Sequence, residues 1–343
     1  IVLALATAAA AQLPNTQPLA PNADFSATMV AGIDKFALEL TTKAKAARAA
    51  QWPGDAAAHR EHLKTIIGAI DKRLPITALE LVGDTTTPAL LAETDKARIS
   101  RVRWPVFDGV HGEGILIQPK GKVLARVIYL PDCDTDPEKL ANDAMLAYSG
   151  CEIIIPALVS RSSEFSTNDR FGVKTNVPHR EWIYRQSFEL GRHIIGYEVQ
   201  KVLQLVDWTS TQKDKVPLLV AGLGEGGMIA FYAGALDTRI SSVYVWGYFA
   251  AREALWSEPI YRNLFGLLNE FGDAEIASLI APRHLVVQHL GYPNVKGPPA
   301  AKQGQRSIAA PGKIVKPSLD EMKAEVARAQ QIVPGGWIKL YGE

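Results

Sequence analysis

The residues best placed for chemistry lie in Ala221-Gly222-Leu223-Gly224-Glu225-Gly226-Gly227-Met228, between a wholly apolar run (Leu218 to Ala221) and an apolar helical stretch. A strand that turns sharply into a helix at G-x-S-x-G lifts a nucleophile clear of its sheet. The flanking glycines are needed because a Cβ there would strike the neighbouring helix and strand. Gly222 and Gly226 fit those two places, and Gly224 falls where the serine would stand. Glycine has no side chain to attack a carbonyl, and it removes the strain a larger residue would carry at such a turn. Two chemistries remain open at this turn. One is binding without nucleophilic attack. The other uses a carboxylate, Glu225 or Glu253, as general base on water, with the backbone N–H groups of Glu225 and Cys133 as oxyanion donors.

The partners of a serine triad are equally thin. The acid belongs after the strand ending near His289, yet no Asp or Glu occurs between His289 and Asp320. Glu253, after the preceding strand, is the nearest replacement. The histidine belongs after the last strand, and the sequence ends at Glu343 two residues past it, so that member is expected beyond the residues given. Ordinary Ser-His-Asp hydrolysis is therefore not expected.

A second reading of the turn is dinucleotide binding, since Gly222, Gly224 and Gly227 satisfy G-x-G-x-x-G after a strand and before a helix. Against it, the next strand ends Val245-Trp246-Gly247-Tyr248 with no acidic residue to hold a ribose. A third reading has Gly226 and Gly227 serve only close packing of helix on strand. No cofactor is expected.

Ligands of such sheets meet the loops at the carboxyl ends of the strands. Those loops carry Asp132, Cys133, Asp134, Arg161, Tyr248, Arg252 and His289. Asp132 and Asp134 could hold a cation or a sugar hydroxyl, or simply cap the following helix. Arg161 and Arg252 could hold a carboxylate, or pair with Glu225 or Glu253. His289 reads as a packed or capping residue and His193 as exposed or structural. No H-E-x-x-H, C-x-x-C or calcium-loop spacing occurs, so no metal is expected.

The elements that must position these groups follow from hydrophobic period. Met29, Ile33, Phe36 and Leu40 share one face of an N-terminal helix. A second helix after Trp52-Pro53-Gly54 turns Leu63, Ile66, Ile67 and Ile70 inward and Arg60, Glu61 and Lys64 outward. Strands are expected at 79–82, 99–106 and 113–118. Strand and helix then alternate: strand 123–130, helix 137–148, strand 152–156, one long helix 180–206, strand 216–222, helix 226–236 and strand 241–247. Residues 252–280 read as helical, 285–289 as strand, 319–331 as helix and 337–341 as strand. The interior strands are unbroken apolar runs, as in parallel sheets covered on both faces. The fold expected is α/β, a mostly parallel sheet with helices on both faces, plus a small N-terminal helical segment.

The ends and the bulk set further bounds. Residues 1–11 read as the remnant of a secretory signal peptide, with a cut after Ala9-x-Ala11, so the chain is expected to be secreted or periplasmic. Residues 12–22 read as a linker, 23–75 as the helical segment, and 76–343 as the main domain. With 37 basic and 36 acidic residues there is no field to draw nucleic acid or an anionic membrane. Two cysteines, Cys133 and Cys151, belong at opposite ends of neighbouring parallel strands, too far apart to bond. Free thiols are expected, with Cys151 buried and Cys133 nearer the ligand rim.

PHREWIYRQSFELGRHIIGYEVQKV (Pro178 to Val202), GLGEGGMIAFYAGALDTRI (Gly222 to Ile240), FGDAEIASLIAPR (Phe271 to Arg283) and WPVFDGVHGEG (Trp104 to Gly114) resemble secreted bacterial α/β-hydrolase-like proteins. These are grouped with acetyl xylan esterases and dienelactone hydrolases. The resemblance implies the α/β-hydrolase fold and a carboxylic-ester hydrolase acting on carbohydrate esters. It also implies a serine or cysteine at the position of Gly224. The expected partner is a small-molecule or carbohydrate-ester ligand.

Overall fold

The structure, a computed structural model, describes residues 14–16, 24–52, 54–147, 149–168 and 172–342. The expected signal remnant lies outside these residues, as does most of the expected linker. In chain order the elements open with α1 (Phe25–Gln51), α2 (Ala56–Ile66), β1 (Glu80–Leu81), β2 (Leu90–Glu93), β3 (Ala97–Phe107) and β4 (Val110–Pro119). Next come β5 (Arg126–Leu130), α3 (Pro137–Ala147), β6 (Glu152–Pro156), β7 (Thr167–Asn168), β8 (Val173–Thr175), α4 (His179–Ser187) and α5 (Ile194–Thr211). The chain continues through β9 (Leu218–Leu223), α6 (Glu225–Leu236), β10 (Ser242–Trp246), α7 (Leu267–Glu270), α8 (Asp273–Ser278) and β11 (His284–Gln288). It closes with β12 (Gln305–Arg306), α9 (Leu319–Ile332) and β13 (Ile338–Tyr341).

The central ten-stranded sheet runs β1-β3-β4-β6-β5-β9-β10-β11-β13, with β2 also on β3. β4 is antiparallel to both β3 and β6, and every pairing from β6 to β13 is parallel. That is the α/β-hydrolase order expected from the sequence. Successive residues of one strand feed two cores because side chains alternate across a sheet. Ile153 and Ile155 of β6, with Val127 of β5, join Ala141 and Ala144 of α3 on one face. Ile154 and Ile128 join Ile195, Val199 and Phe231 of α5 and α6 on the other. Both faces are thus covered, as the apolar interior strands require.

Several expectations are corrected by local chemistry. The single helix over 180–206 is broken, because Gly191 takes a left-handed conformation (φ 63°) and ends the first piece. His193 then restarts it, its Nδ1 accepting the Ile195 N–H at 3.1 Å. The helical stretch 252–280 resolves into 3-10 turns and the short α7 and α8. Strands β7, β8 and β12 form a small separate sheet that alternation did not reveal. Arg60 does not face water: it donates to the carbonyls of Ala235 and Leu279.

The chain divides into two compact units, 1–43 and 44–343, so α2 belongs with the larger one. Leu63 and Ile67 are fully buried there, while Ile70 is exposed. In the smaller unit the part of α1 up to Lys43 is the only regular element among the described residues, the rest of α1 falling in the larger unit. Met29, Ile33 and Phe36 lie 60–65% exposed on it, where an inward face was expected. Neither cysteine is bonded, but the expected accessibilities are exchanged: Cys133 is buried and Cys151 half-buried. A thiol reagent is therefore expected to modify one cysteine, Cys151, in the native protein and two after denaturation. Rapid native modification of both would contradict the packing around Cys133.

Candidate functional site: a closed elbow

Strand β9 delivers the chain to Gly224, which turns it into α6 with φ 59° and ψ −119°. An L-residue rarely adopts this backbone, and the turn leads sharply from strand to helix. The turn is pinned by the Gly224 N–H donating to the Trp246 carbonyl at 2.9 Å and the Met228 N–H donating to Gly224 at 3.1 Å. The surrounding glycines are steric necessities. A Cβ on Gly226 would enter the backbone of Leu130 and Pro131, and one on Gly227 would lie 2.6 Å from the Trp246 carbonyl oxygen. Gly222 and Gly226 themselves touch backbone to backbone.

The space above Gly224 is filled. A Cβ there would collide with Asp132 Oδ1 and lie 2.8 Å from Pro293 Cγ. The same Asp132 Oδ1 accepts the backbone N–H of Glu225 at 3.0 Å. That N–H is the donor an ester's developing oxyanion would need. A carboxylate from the loop after β5 thus sits where a substrate carbonyl would sit. Arg161, from the loop after β6, locks it there with Nη1 2.6 Å from Oδ2 and Nη2 2.9 Å from Oδ1. Such a fork-on-carboxylate pair is among the strongest polar contacts a protein makes.

Beneath this pair lies Glu225, fully buried at the first position of α6. Three guanidinium groups surround it: Arg262 Nε at 2.8 Å, Arg161 Nη2 at 3.1 Å and Arg180 Nη2 at 3.7 Å. Burial pushes its carboxyl upward, but Arg262, Arg180 and Arg161 together outweigh that and hold it at about 2. A group so acidic does not accept a proton near neutrality, and a general base needs a value near the working pH. Each arginine has a further carboxylate: Arg161 has Asp134, Arg180 has Glu198 and Arg262 has Glu258. The result is a connected, alternating charge cluster across the carboxyl ends of β5, β6, β9 and β10.

The remaining expected site residues fall into place around this cluster or away from it. Asp134 accepts the Arg161 backbone N–H at 2.7 Å as well as its guanidinium. Asp132, Cys133 and Asp134 offer closely grouped ligand atoms, but Arg161 bridges both carboxylates and would repel a cation. Burial raises the Cys133 thiol well above its ordinary value, so it stays protonated. Glu253 does not join the elbow: it pairs with Arg48 at 2.6 Å and Lys45 at 3.6 Å. Arg252 pairs with Glu258 and Asp273 rather than Glu253, and stacks over buried Tyr248 at 4.5 Å. His289 Nε2 lies 2.8 Å from the Pro317 carbonyl, a packed position. His193 is buried, with Nε2 3.0 Å from the Asn263 carbonyl, and burial lowers it to about 4.

Arg180, Glu198, Glu258, Arg262 and Asp273 carried no motif. One signal was visible for Glu198: it interrupts the apolar stripe of its helix, and a charge in such a stripe must find a buried partner. Arg180 is that partner, both side chains being fully buried.

No family model matches the chain, and no curated protein matches it in sequence. Solved structures share its fold. A putative acetyl xylan esterase from Bacteroides fragilis aligns with a TM-score of 0.58 and 17% identity, over 84% of this chain and 74% of its own. An acetyl xylan esterase from Paenibacillus sp. R4 aligns with a TM-score of 0.49 and 16% identity, over 84% and 89%. A glucuronoyl esterase from Solibacter usitatus gives 0.49 and 14%, over 83% and 86%. The first of these supports the α/β-hydrolase fold, which is what likeness at such identity conveys.

Proposed function

We propose that this chain is a ligand-binding relative of the carbohydrate esterases whose elbow no longer performs acyl transfer. The observation that carries the reading is the Asp132 carboxylate seated on the Glu225 N–H over Gly224. Three requirements of acyl transfer are unmet together. Gly224 offers no nucleophile, the Glu225 N–H of the two expected oxyanion donors is occupied, and the adjacent carboxylate is too acidic to serve as base. A hydrolase using Glu225 on water would need at least the last two. The fold keeps its rim of loops at the strand ends, where ligands of such sheets bind. The dinucleotide reading gains nothing from the geometry, because the glycines of the turn are filled by packing against backbone and by Asp132.

The test is direct. Purified protein is expected to show no covalent labelling with a fluorophosphonate and no hydrolysis of p-nitrophenyl acetate above that of the Glu225→Gln variant. Stoichiometric labelling of any serine would overturn the reading.

Among the described residues no helix is long and apolar enough to cross a membrane. We further propose export, on the apolar run of residues 1–11. The protein recovered from its native host is expected to begin at Gln12. A cytoplasmic protein retaining residues 1–11 would refute that.

A further inference from the structure

Next to the elbow lies a cavity of about 190 Å³, walled by the loop after β10 and by the segment before α9. Its polar wall includes Arg252 and Arg262, 5% and 3% exposed, with Glu258 between them. Its apolar wall includes Leu255, Ile314, Val315 and Pro317. From these residues we propose that the cavity binds a small organic carboxylate with an apolar body, its carboxylate toward the two guanidinium groups.

Both arginines are fixed before any ligand arrives. Glu258 holds them side by side, accepting from Arg252 Nη1 at 3.2 Å and from Arg262 Nη1 at 2.9 Å. Arg252 is backed by Asp273 at 3.2 Å and stacked on Tyr248, while Arg262 is anchored through Nε to Glu225 at 2.8 Å. A rigid guanidinium loses little freedom on binding, so a favourable contact is not spent on ordering it. Arg262 Nη2 is buried without a hydrogen-bond partner, an unmet donor on the group that lines the cavity. A ligand carboxylate that displaced neighbouring side chains slightly would give this donor the partner it lacks. The wall also carries Lys313 and Lys316 against the carboxylates Glu258 and Glu321, so cationic side chains outnumber anionic ones. A planar carboxylate matches the guanidinium fork, and the aliphatic wall favours an apolar body over a sugar ring studded with hydroxyls. The volume is a little above the roughly 150 Å³ that holds benzene, so it suits a ligand of about one ring.

This inference rests on the binding reading above for its purpose, but it stands or falls on different measurements. Benzoate serves as the probe, benzamide as its neutral counterpart and inorganic phosphate as an anion without an apolar body. Isothermal titration of the full chain is expected to show one benzoate site, at least about tenfold tighter than benzamide or phosphate. Ala254 lines the mouth and is exposed, outside the ion network, so Ala254→Trp should block entry without disturbing the fold. Lys313→Gln removes an exposed wall cation and serves as the second variant. Ala254→Trp should weaken benzoate about tenfold or more, and Lys313→Gln by a smaller factor that added salt abolishes. No benzoate binding, benzamide bound equally well, phosphate bound better, or benzoate indifferent to both variants would each overturn the proposal. Fluorophosphonate labelling would overturn the non-catalytic reading and leave these titrations standing.

Discussion

Glu225→Gln is expected to lose about 3 kcal/mol of folding stability at pH 7, the low end of the range for breaking a buried ion pair. The variant leaves Arg161, Arg180 and Arg262 facing an amide in a buried site. Arg161 retains Asp132 and Asp134, Arg180 retains Glu198 and Arg262 retains Glu258, which is why the loss sits at the low end. The pH dependence gives an independent measure. The folded carboxyl titrates at about 2, against an ordinary 4.5. A depressed folded value means the stabilisation is fully present above about 4.5 and disappears as pH falls through 2. That difference corresponds to about 3 kcal/mol at roughly 1.4 kcal/mol per unit, in agreement with the ion-pair figure. Urea midpoints of parent and variant should therefore converge as pH drops from 5 toward 2. A variant within about 0.5 kcal/mol of the parent at pH 7 behaves like an ordinary surface substitution and would show that Glu225 is not held as described.

The order of the sheet was legible because buried parallel strands have a plain signature. Leu218 to Ala221 and Leu285 to Val287 are unbroken apolar runs, and each leads into a turn and a helix. The sharp turn from β9 into α6 was legible from its glycines, since backbone contact at Gly222 and Gly226 admits no Cβ. What periodicity could not supply was pairing between distant charges. Arg161 meets Asp132 and Glu225 across loops separated by 29 and 64 residues, and nothing local marks either contact. Glu253 looked as suitable as Glu225 in the sequence. Only the path of the loop after β10, which carries it toward Arg48, distinguishes the two. The helix break at Gly191 was written in the sequence, as Gly-Arg-His is a reasonable stop and restart, but an apolar stripe running through it hid the signal.

Gly224→Ser and Asp132→Ala together are expected to be far less damaging than the sum of the two alone. By itself, Gly224→Ser places a Cβ against Asp132 Oδ1 at a backbone with φ 59°. The backbone strain is of order 1–3 kcal/mol. Turning Asp132 aside also breaks its charge-assisted bonds to the Glu225 N–H and to Arg161, each worth about 1.5–3 kcal/mol. Asp132→Ala alone loses those same bonds, with Arg161 still held by Asp134 and Glu225. In the double variant the bonds are lost once and the collision with Asp132 is gone, so only the backbone strain and the close approach to Pro293 are added, as they are in Gly224→Ser alone. The coupling energy should favour the double variant by about 3 kcal/mol, the low end of the sum for two such bonds and the top of the range for residues in contact. Urea denaturation of the four proteins measures it. Additivity within about 0.5 kcal/mol would place Asp132 away from Gly224 and remove the main support for a closed elbow. Catalysis should not return with the serine. The Glu225 N–H is then free to bind an oxyanion, but among the described residues the nearest side chain left beside position 224 is Pro293, which is no base. Glu225 itself remains buried among Arg161, Arg180 and Arg262. An unactivated serine is a poor nucleophile.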